Sequence, residues 1–287
     1  MNKFNNFKQE LIPFYTDKIS INLSPSLSYR SRCEFGYSKD SYTMKKNYKT
    51  VYLNNFSHAC KSIQQLMPEL LKVINASQIV KYKLFQINFR SNSKNEILAT
   101  LIYHTKVNDK LIKAIELISK SFNINIIIRS KNFVYATNQN LIEDILKSSK
   151  LKLFQTDNCF YQPNKFLINQ MISRVIDFID NPKDLIELYC GVGTFTLPLS
   201  RVFKNVFATE NNRNAYKCLT KAIKINNIEN IYTARLSSDE VAQLYSGKKF
   251  YRMSNIPINT FKFSHILVDP PRSGLTQNVI NIISNYK

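Results

Sequence analysis

The sequence predicts an α/β fold in two parts: an α+β domain over residues 1–157, then a doubly wound, Rossmann-like domain over residues 158–287. Three observations carry this expectation. The stretch Asp184 to Phe195, DLIELYCGVGTF, runs a short apolar strand into two closely spaced glycines, Gly191 and Gly193. From Asp184 onward strand and helix patterns alternate, as in a parallel sheet whose crevice opens at the carboxyl ends of its strands. Before residue 157, by contrast, apolar residues alternate with polar ones in paired runs separated by turn residues.

Composition narrows the function. The chain has 287 residues, 44% of them hydrophobic, and 40 Lys+Arg against 20 Asp+Glu, a formal charge of +20. Such an excess points to an anionic partner, most often nucleic acid. A threefold excess of Lys over Arg is also what AT-rich coding produces without any selection for binding. The excess lies mainly in residues 1–183, with 27 Lys+Arg against 13 Asp+Glu. Five scattered cysteines with no C-x-x-C pair suggest neither a disulfide framework nor a metal site. No apolar run is long enough to span a bilayer, and the start, MNKFNNFKQELIPFY, has no unbroken apolar core. The expectation is a reduced, cytoplasmic, monomeric protein that binds no metal and no membrane.

In chain order, the alternation in Tyr29 to Phe35 predicts a strand with Arg30, Arg32 and Glu34 on one face. Two arginines so spaced can grip phosphates, or be plain solvated charge. A second basic strand is predicted from Tyr42 to Tyr52, then a helix from Ser57 to Ile74 interrupted at Met67-Pro68. Residues 82–104 read as a hairpin around the turn SNSKN, with Phe85 on its first strand and His104 closing its second. Those two rings could stack on unpaired bases, or Phe85 could be core and His104 an ordinary strand-end residue. A helix from Asp109 to Phe122 and a strand from Ile124 to Arg129 follow, then NCFYQPN and an amphipathic helix from Asn164 to Ile179 with Asn164 as its N-cap.

The glycine turn leads into a helix predicted to start at Thr194, and it lets backbone N–H groups approach a ligand with no Cβ in the way. Thr196 stands where a dinucleotide fingerprint has its third glycine. A pyrophosphate is therefore not the favoured ligand, and S-adenosylmethionine, which has no phosphates, fits better. Further strands are predicted at Asn205–Thr209, Asn230–Arg235 and His265–Val268. Glu210 follows the second strand, where a carboxylate accepts ribose hydroxyls, and Asp269 follows the fourth. With Tyr189 at the end of the first, three strand ends converge on one crevice.

ILVDPPRSGL, taken with IELYCGVGTFTLPLS, FYQPN, YRSRCEF and YKLFQINF, resembles the RNA uracil-5-methyltransferase family in its transfer RNA branch, over nearly the whole chain. The resemblance implies S-adenosylmethionine as cofactor and Gln162, Tyr189, Gly191, Gly193, Thr194, Glu210 and Asp269 as its binding residues. Thr194 stands where the family usually has asparagine, keeping a hydroxyl but losing an amide. It also implies transfer RNA as partner, with Phe85 and His104 packing against the T-loop and Arg30 and Arg32 on an RNA-facing strand.

In the family a cysteine thiolate adds to uracil C6 so that C5 can take the methyl group, and a base then removes the C5 proton. Both groups lie beyond the DPPRSGL motif, whereas this sequence stops at Asn285-Tyr286-Lys287. None of the five cysteines is a convincing substitute, so no catalytic residue is assigned. The expectation is a carboxyl-terminally truncated domain, a fragment or decayed gene product, with its fourth strand left as an apolar edge and no methylation by the chain as it stands. A catalytically inactive RNA-binding remnant is the alternative.

Overall fold

The computed structural model describes residues 4–284, so the predicted terminus Asn285-Tyr286-Lys287 lies outside it. The first part contains α1 (Asn5–Leu11), β1 (Arg32–Ser38), β2 (Ser41–Lys46), β3 (Lys49–Leu53), α2 (Lys61–Ala76), α3 (Gln78–Lys81), β4 (Leu84–Ser91), β5 (Ile97–Tyr103), α4 (Asp109–Phe122), β6 (Asn125–Ser130) and β7 (Phe133–Ala136). Its strands form one sheet in the order β3-β2-β1-β4-β5-β6-β7. All neighbours are antiparallel except β5 and β6.

The helices cover one sheet face because their apolar residues recur at helical spacing. Ile63, Met67, Leu70 and Ile74 of α2 and Leu111, Ile115 and Ile118 of α4 are buried with Phe35, Ile87, Phe89, Leu101, Ile126 and Ile128 from the strands. α4 is defined locally at both ends: the Asn108 side chain accepts from the Leu111 N–H at 2.9 Å, and Asn123 closes it in the left-handed region. The other sheet face carries Arg32, Glu34, Asn88, Arg90 and Thr100, cross-strand neighbours in register.

A hairpin of β8 (Ile142–Leu146) and β9 (Leu151–Gln155) and then α5 (Ile168–Asp177) lead into the parallel sheet. There β10 (Asp184–Leu188), α6 (Thr196–Leu199), β11 (Asn205–Thr209), α7 (Arg213–Ile225), β12 (Ile231–Ala234), α8 (Ser238–Tyr245), β13 (Phe263–Val268) and α9 (Gln277–Ile283) alternate. Strand order is β12-β11-β10-β13, with β10 central and buried along its length and β13 half-buried at one edge. Buried Asp184 fastens the strand starts together: it accepts from Asn205 Nδ2 at 2.8 Å and from the Lys262 N–H at 2.6 Å.

Several expectations are corrected. The run Tyr42 to Tyr52 is two strands, because Asn47 and Tyr48 take φ of 49° and 63° and turn the chain. Pro68 does not break α2. It deprives the Gln64 carbonyl, one turn earlier, of its usual N–H, and Asn55 Nδ2 fills the gap at 3.1 Å. Asn164 is not an N-cap: its amide donates to Ser24 Oγ at 2.9 Å, and α5 starts at Ile168. The helix expected from Thr194 begins at Thr196. β7, β8 and β9 were not anticipated.

Candidate active site

The turn after β10 is built by its own backbone. Tyr189 leaves the strand at φ 58°, a conformation uncommon for a residue with a bulky side chain, and its hydroxyl bonds Ser238 Oγ at 2.7 Å, at the start of α8. The Cys190 N–H donates to the Thr209 carbonyl at 3.1 Å, tying the turn to the end of β11. The Gly191 N–H donates to Glu210 Oε2 at 2.9 Å, and the Asn212 N–H to Oε1 at 2.6 Å. Across the crevice Gln162 Nε2 donates to Asp269 Oδ2 at 3.0 Å. The structure thus joins Gly191 with Glu210, and Gln162 with Asp269.

The two glycines do different work. At Gly191, φ 58°, an added Cβ would meet nothing nearer than the Phe160 carbonyl at 3.9 Å. At Gly193, φ 92°, it would lie 2.5 Å from Leu219 Cδ1 of α7. The Gly193 N–H is taken by the Cys190 carbonyl at 3.0 Å. Packing, rather than access for a ligand, requires the second glycine. Thr194 is buried beside it.

Charge is tuned by burial. Glu187 of β10 is 2% exposed, its Oε2 has no hydrogen-bond partner, and desolvation pushes its carboxyl up to about 8, against the opposing influence of the Thr196 hydroxyl. Asp269 is raised from its ordinary value by burial, with the Gln162 amide opposing. All five cysteines are buried. The Cys190 thiol is pushed well above the ordinary range by burial. Cys159 is lowered to about 7 chiefly by the neighbouring Cys218 thiol, yet it is 1% exposed.

The first sheet is locked to this crevice through residues 155–163. Buried Arg90 donates to Gln155 Oε1 at 3.2 Å and to the Asp157 carbonyl at 3.0 Å, and also to the Cys159 carbonyl. Arg129 makes a two-pronged ion pair with Asp157, one prong at 2.8 Å. Asn158, next in line, accepts from Asn214 Nδ2 at 2.7 Å and from Asn212 Nδ2 at 3.2 Å. Asn212 is also the N-cap of α7. A continuous set of polar contacts therefore runs from β4 and β6 to Glu210.

Of the residues expected to face RNA, Phe85 and His104 stack with ring centroids 4.0 Å apart and planes 17° apart, and Phe85 is 48% exposed. Arg32 is ion-paired with Glu34, and Arg30 Nε reaches the Arg32 carbonyl at 3.4 Å. Their stretch lies against the Gln162 loop, since the Ser31 N–H donates to the Pro163 carbonyl at 2.8 Å. The stacked pair sits at the other end of β4 from Arg90, about 17 Å away at 3.4 Å per residue.

A family model described as tRNA (Uracil-5-)-methyltransferase matches residues 1–287. The chain belongs to this family. Among relatives of the tRNA (uracil-5-)-methyltransferase family, the tRNA/tmRNA (uracil-C(5))-methyltransferase of Campylobacter concisus is 36% identical, covering 98% of this chain and 78% of its own length. The enzyme of the same name from Saccharophagus degradans is 34% identical, covering 97% and 80%. The crystal structure of Pyrococcus abyssi tRNA (uracil-54, C5)-methyltransferase in complex with S-adenosyl-L-homocysteine superposes with a TM-score of 0.71 over 95% of this chain and 68% of that one. At 19% identity that likeness shows the shared Rossmann-like fold.

Reasoning from sequence missed the Arg90–Asp157–Arg129 clamp, whose partners lie 67 and 28 positions apart and share no local pattern. It also missed Asn158. Asn212 was missed too, although its place two residues after Glu210 and just before a helical run is the local signal of an N-cap. Among the described residues no group of three or more His, Cys, Asp or Glu could hold a metal, and no helix is long and apolar enough to cross a membrane.

Proposed function

We propose that the chain holds the RNA and the methyl donor for methylation of uracil C5 in the T-loop of transfer RNA, with S-adenosylmethionine at the ends of β10, β11 and β13 and the attacking thiolate supplied by none of its own five cysteines. The observation that carries this reading is the pairing of Gly191 with Glu210 and of Gln162 with Asp269 at the ends of the adjacent strands β11, β10 and β13. The names of the relatives and the ligand named for the Pyrococcus abyssi enzyme support it.

The residues fit such a donor. At Gly191 an added Cβ would make only an ordinary contact, with the Phe160 carbonyl at 3.9 Å. Each Glu210 oxygen accepts one backbone N–H in the structure and keeps a lone pair for a ribose hydroxyl. Gln162 and Asp269 offer a polar pair opposite, and Tyr189, Gly193 and Thr194 hold the turn in shape. When bound, the donor supplies an electrophilic methyl group; this chain's residues bind it, orient it and exclude water. Arg30, Arg32, Phe85 and His104 would hold the RNA.

Uracil C5 gains nucleophilicity when a thiolate adds to C6. None of the five cysteines serves as that thiolate, because each is buried and Cys190, beside the turn, is pushed away from ionisation. The same burial favours a second reading, an RNA-binding chain without the chemical step.

The test uses a transfer RNA transcript, methyl-labelled donor and five single Cys→Ser variants. Binding of both transfer RNA and the labelled donor, with no label in 5-methyluridine, supports the reading; label that is lost in one variant identifies the nucleophile and overturns the exclusion. Transfer RNA binding without donor binding supports the second reading; no binding of transfer RNA overturns both.

A further inference from the structure

The outer half of the β2–β3 hairpin takes no part in the crevice. β1 pairs with β2 only across Ser41 to Thr43, but β2 and β3 stay paired through Met44–Val51, Lys45–Thr50 and Lys46–Lys49. These pairs extend past the sheet as a two-stranded ribbon, about 10 Å long at 3.4 Å per residue.

A ribbon of two strands has little stability of its own, and this one carries added liabilities. Lys46 and Lys49 face each other directly, an opposition of like charges that weakens the pair. Asn47 and Tyr48 turn the chain at φ 49° and 63°, a backbone that a bulky side chain adopts at a cost. Tyr48 is 101% exposed, so its ring gains nothing from burial. No acidic residue occurs between Asp40 and Glu69. Among the described residues Lys45, Lys46 and Lys49 form no ion pair, although Lys45 Nζ donates to Thr50 Oγ1 at 2.8 Å. At the base of the ribbon Lys39 Nζ lies 5.5 Å from the centroid of the half-exposed Tyr52 ring.

Two of these liabilities, the facing lysines and the bare ring, are relieved by the same kind of partner. Phosphates neutralise the facing lysines, and an unpaired base covers the bare ring. We propose that this ribbon is a second RNA-gripping finger, holding backbone phosphates of the transfer RNA with Lys45, Lys46 and Lys49 and stacking a base on Tyr48. The inference rests on the RNA-methyltransferase reading and adds a contact separate from Phe85, His104, Arg30 and Arg32.

Transfer RNA binding is measured over a range of salt for the full chain, for Lys46→Ala/Lys49→Ala and for Tyr48→Ala. The double variant is expected to bind more weakly, with the slope of log affinity against log salt reduced by about 1.5. Tyr48→Ala is expected to weaken binding by roughly five- to a hundredfold. Both variants should keep the thermal midpoint, or raise it in the double variant by removing repulsion, and should bind S-adenosylhomocysteine as the unsubstituted chain does. Affinity and slope unchanged in both variants of a chain that binds RNA would remove the finger and leave the functional reading standing. Absence of RNA binding by the unsubstituted chain would bring down the functional reading and the finger together.

Discussion

Replacing each glycine of the turn with alanine separates what packing requires from what a ligand requires. In Gly193→Ala the backbone sits at φ 92°, outside the left-handed well, costing about 1–3 kcal/mol. The new methyl also meets Leu219 Cδ1 at 2.5 Å, and Leu219 is fully buried, so it has little freedom to move aside. Overpacking of that kind costs about 1–3 kcal/mol, and the two together give about 2–6 kcal/mol. Gly191→Ala keeps φ 58°, inside the left-handed well, and its methyl makes only an ordinary contact, with the Phe160 carbonyl at 3.9 Å, so about 1 kcal/mol is expected. The same methyl occupies the space assigned to the donor. Urea denaturation should therefore rank Gly193→Ala far below Gly191→Ala in stability, while calorimetry should show the folded Gly191→Ala protein losing about tenfold or more in affinity for S-adenosylhomocysteine. Equal stability of the two variants, or a greater loss for Gly191→Ala, would refute the division of roles.

Glu187 makes stability depend on pH. Its folded value of about 8 lies above the ordinary 4.5, so the folded state keeps a proton that the unfolded chain gives up, and stability falls as pH rises from about 4.5 to about 8. Glu187→Gln should flatten that slope in denaturation curves and raise stability at pH 8, by about 5 kcal/mol at most, with little change at pH 4.5. Arg90→Met leaves the acceptors of Gln155, Asp157 and Cys159 without their donor, and a loss of about 2–4 kcal/mol should appear in the urea midpoint. Phe85→Ala should weaken transfer RNA binding by about tenfold in a filter assay and leave the thermal midpoint nearly unchanged, since the ring is half exposed.

What was legible in the sequence was what neighbouring residues decide. The bounds of α4 follow from Asn108 and Asn123 beside a helical apolar stripe, and β11 from an apolar run between Asn205 and Glu210. The convergence of Glu210 on the glycine turn was legible because doubly wound topology brings successive strand ends together. Pro68 was misread because its remedy, Asn55, lies in the preceding loop and not in the helix. The packing role of Gly193 was hidden because only the tertiary structure brings Leu219 against it. The clamp through Asp157 is likewise a product of how β4 and β6 meet the following segment.

The central claim, that the donor binds where Glu210 and Asp269 close the strand ends, is tested most directly by titrating S-adenosylhomocysteine into the chain and into folded Glu210→Ala and Asp269→Ala variants. Binding at one site per chain is expected, with each variant weakened by about ten- to a hundredfold, the worth of hydrogen bonds to a charged group. No binding by the unsubstituted chain, or undiminished binding by both variants, would contradict it.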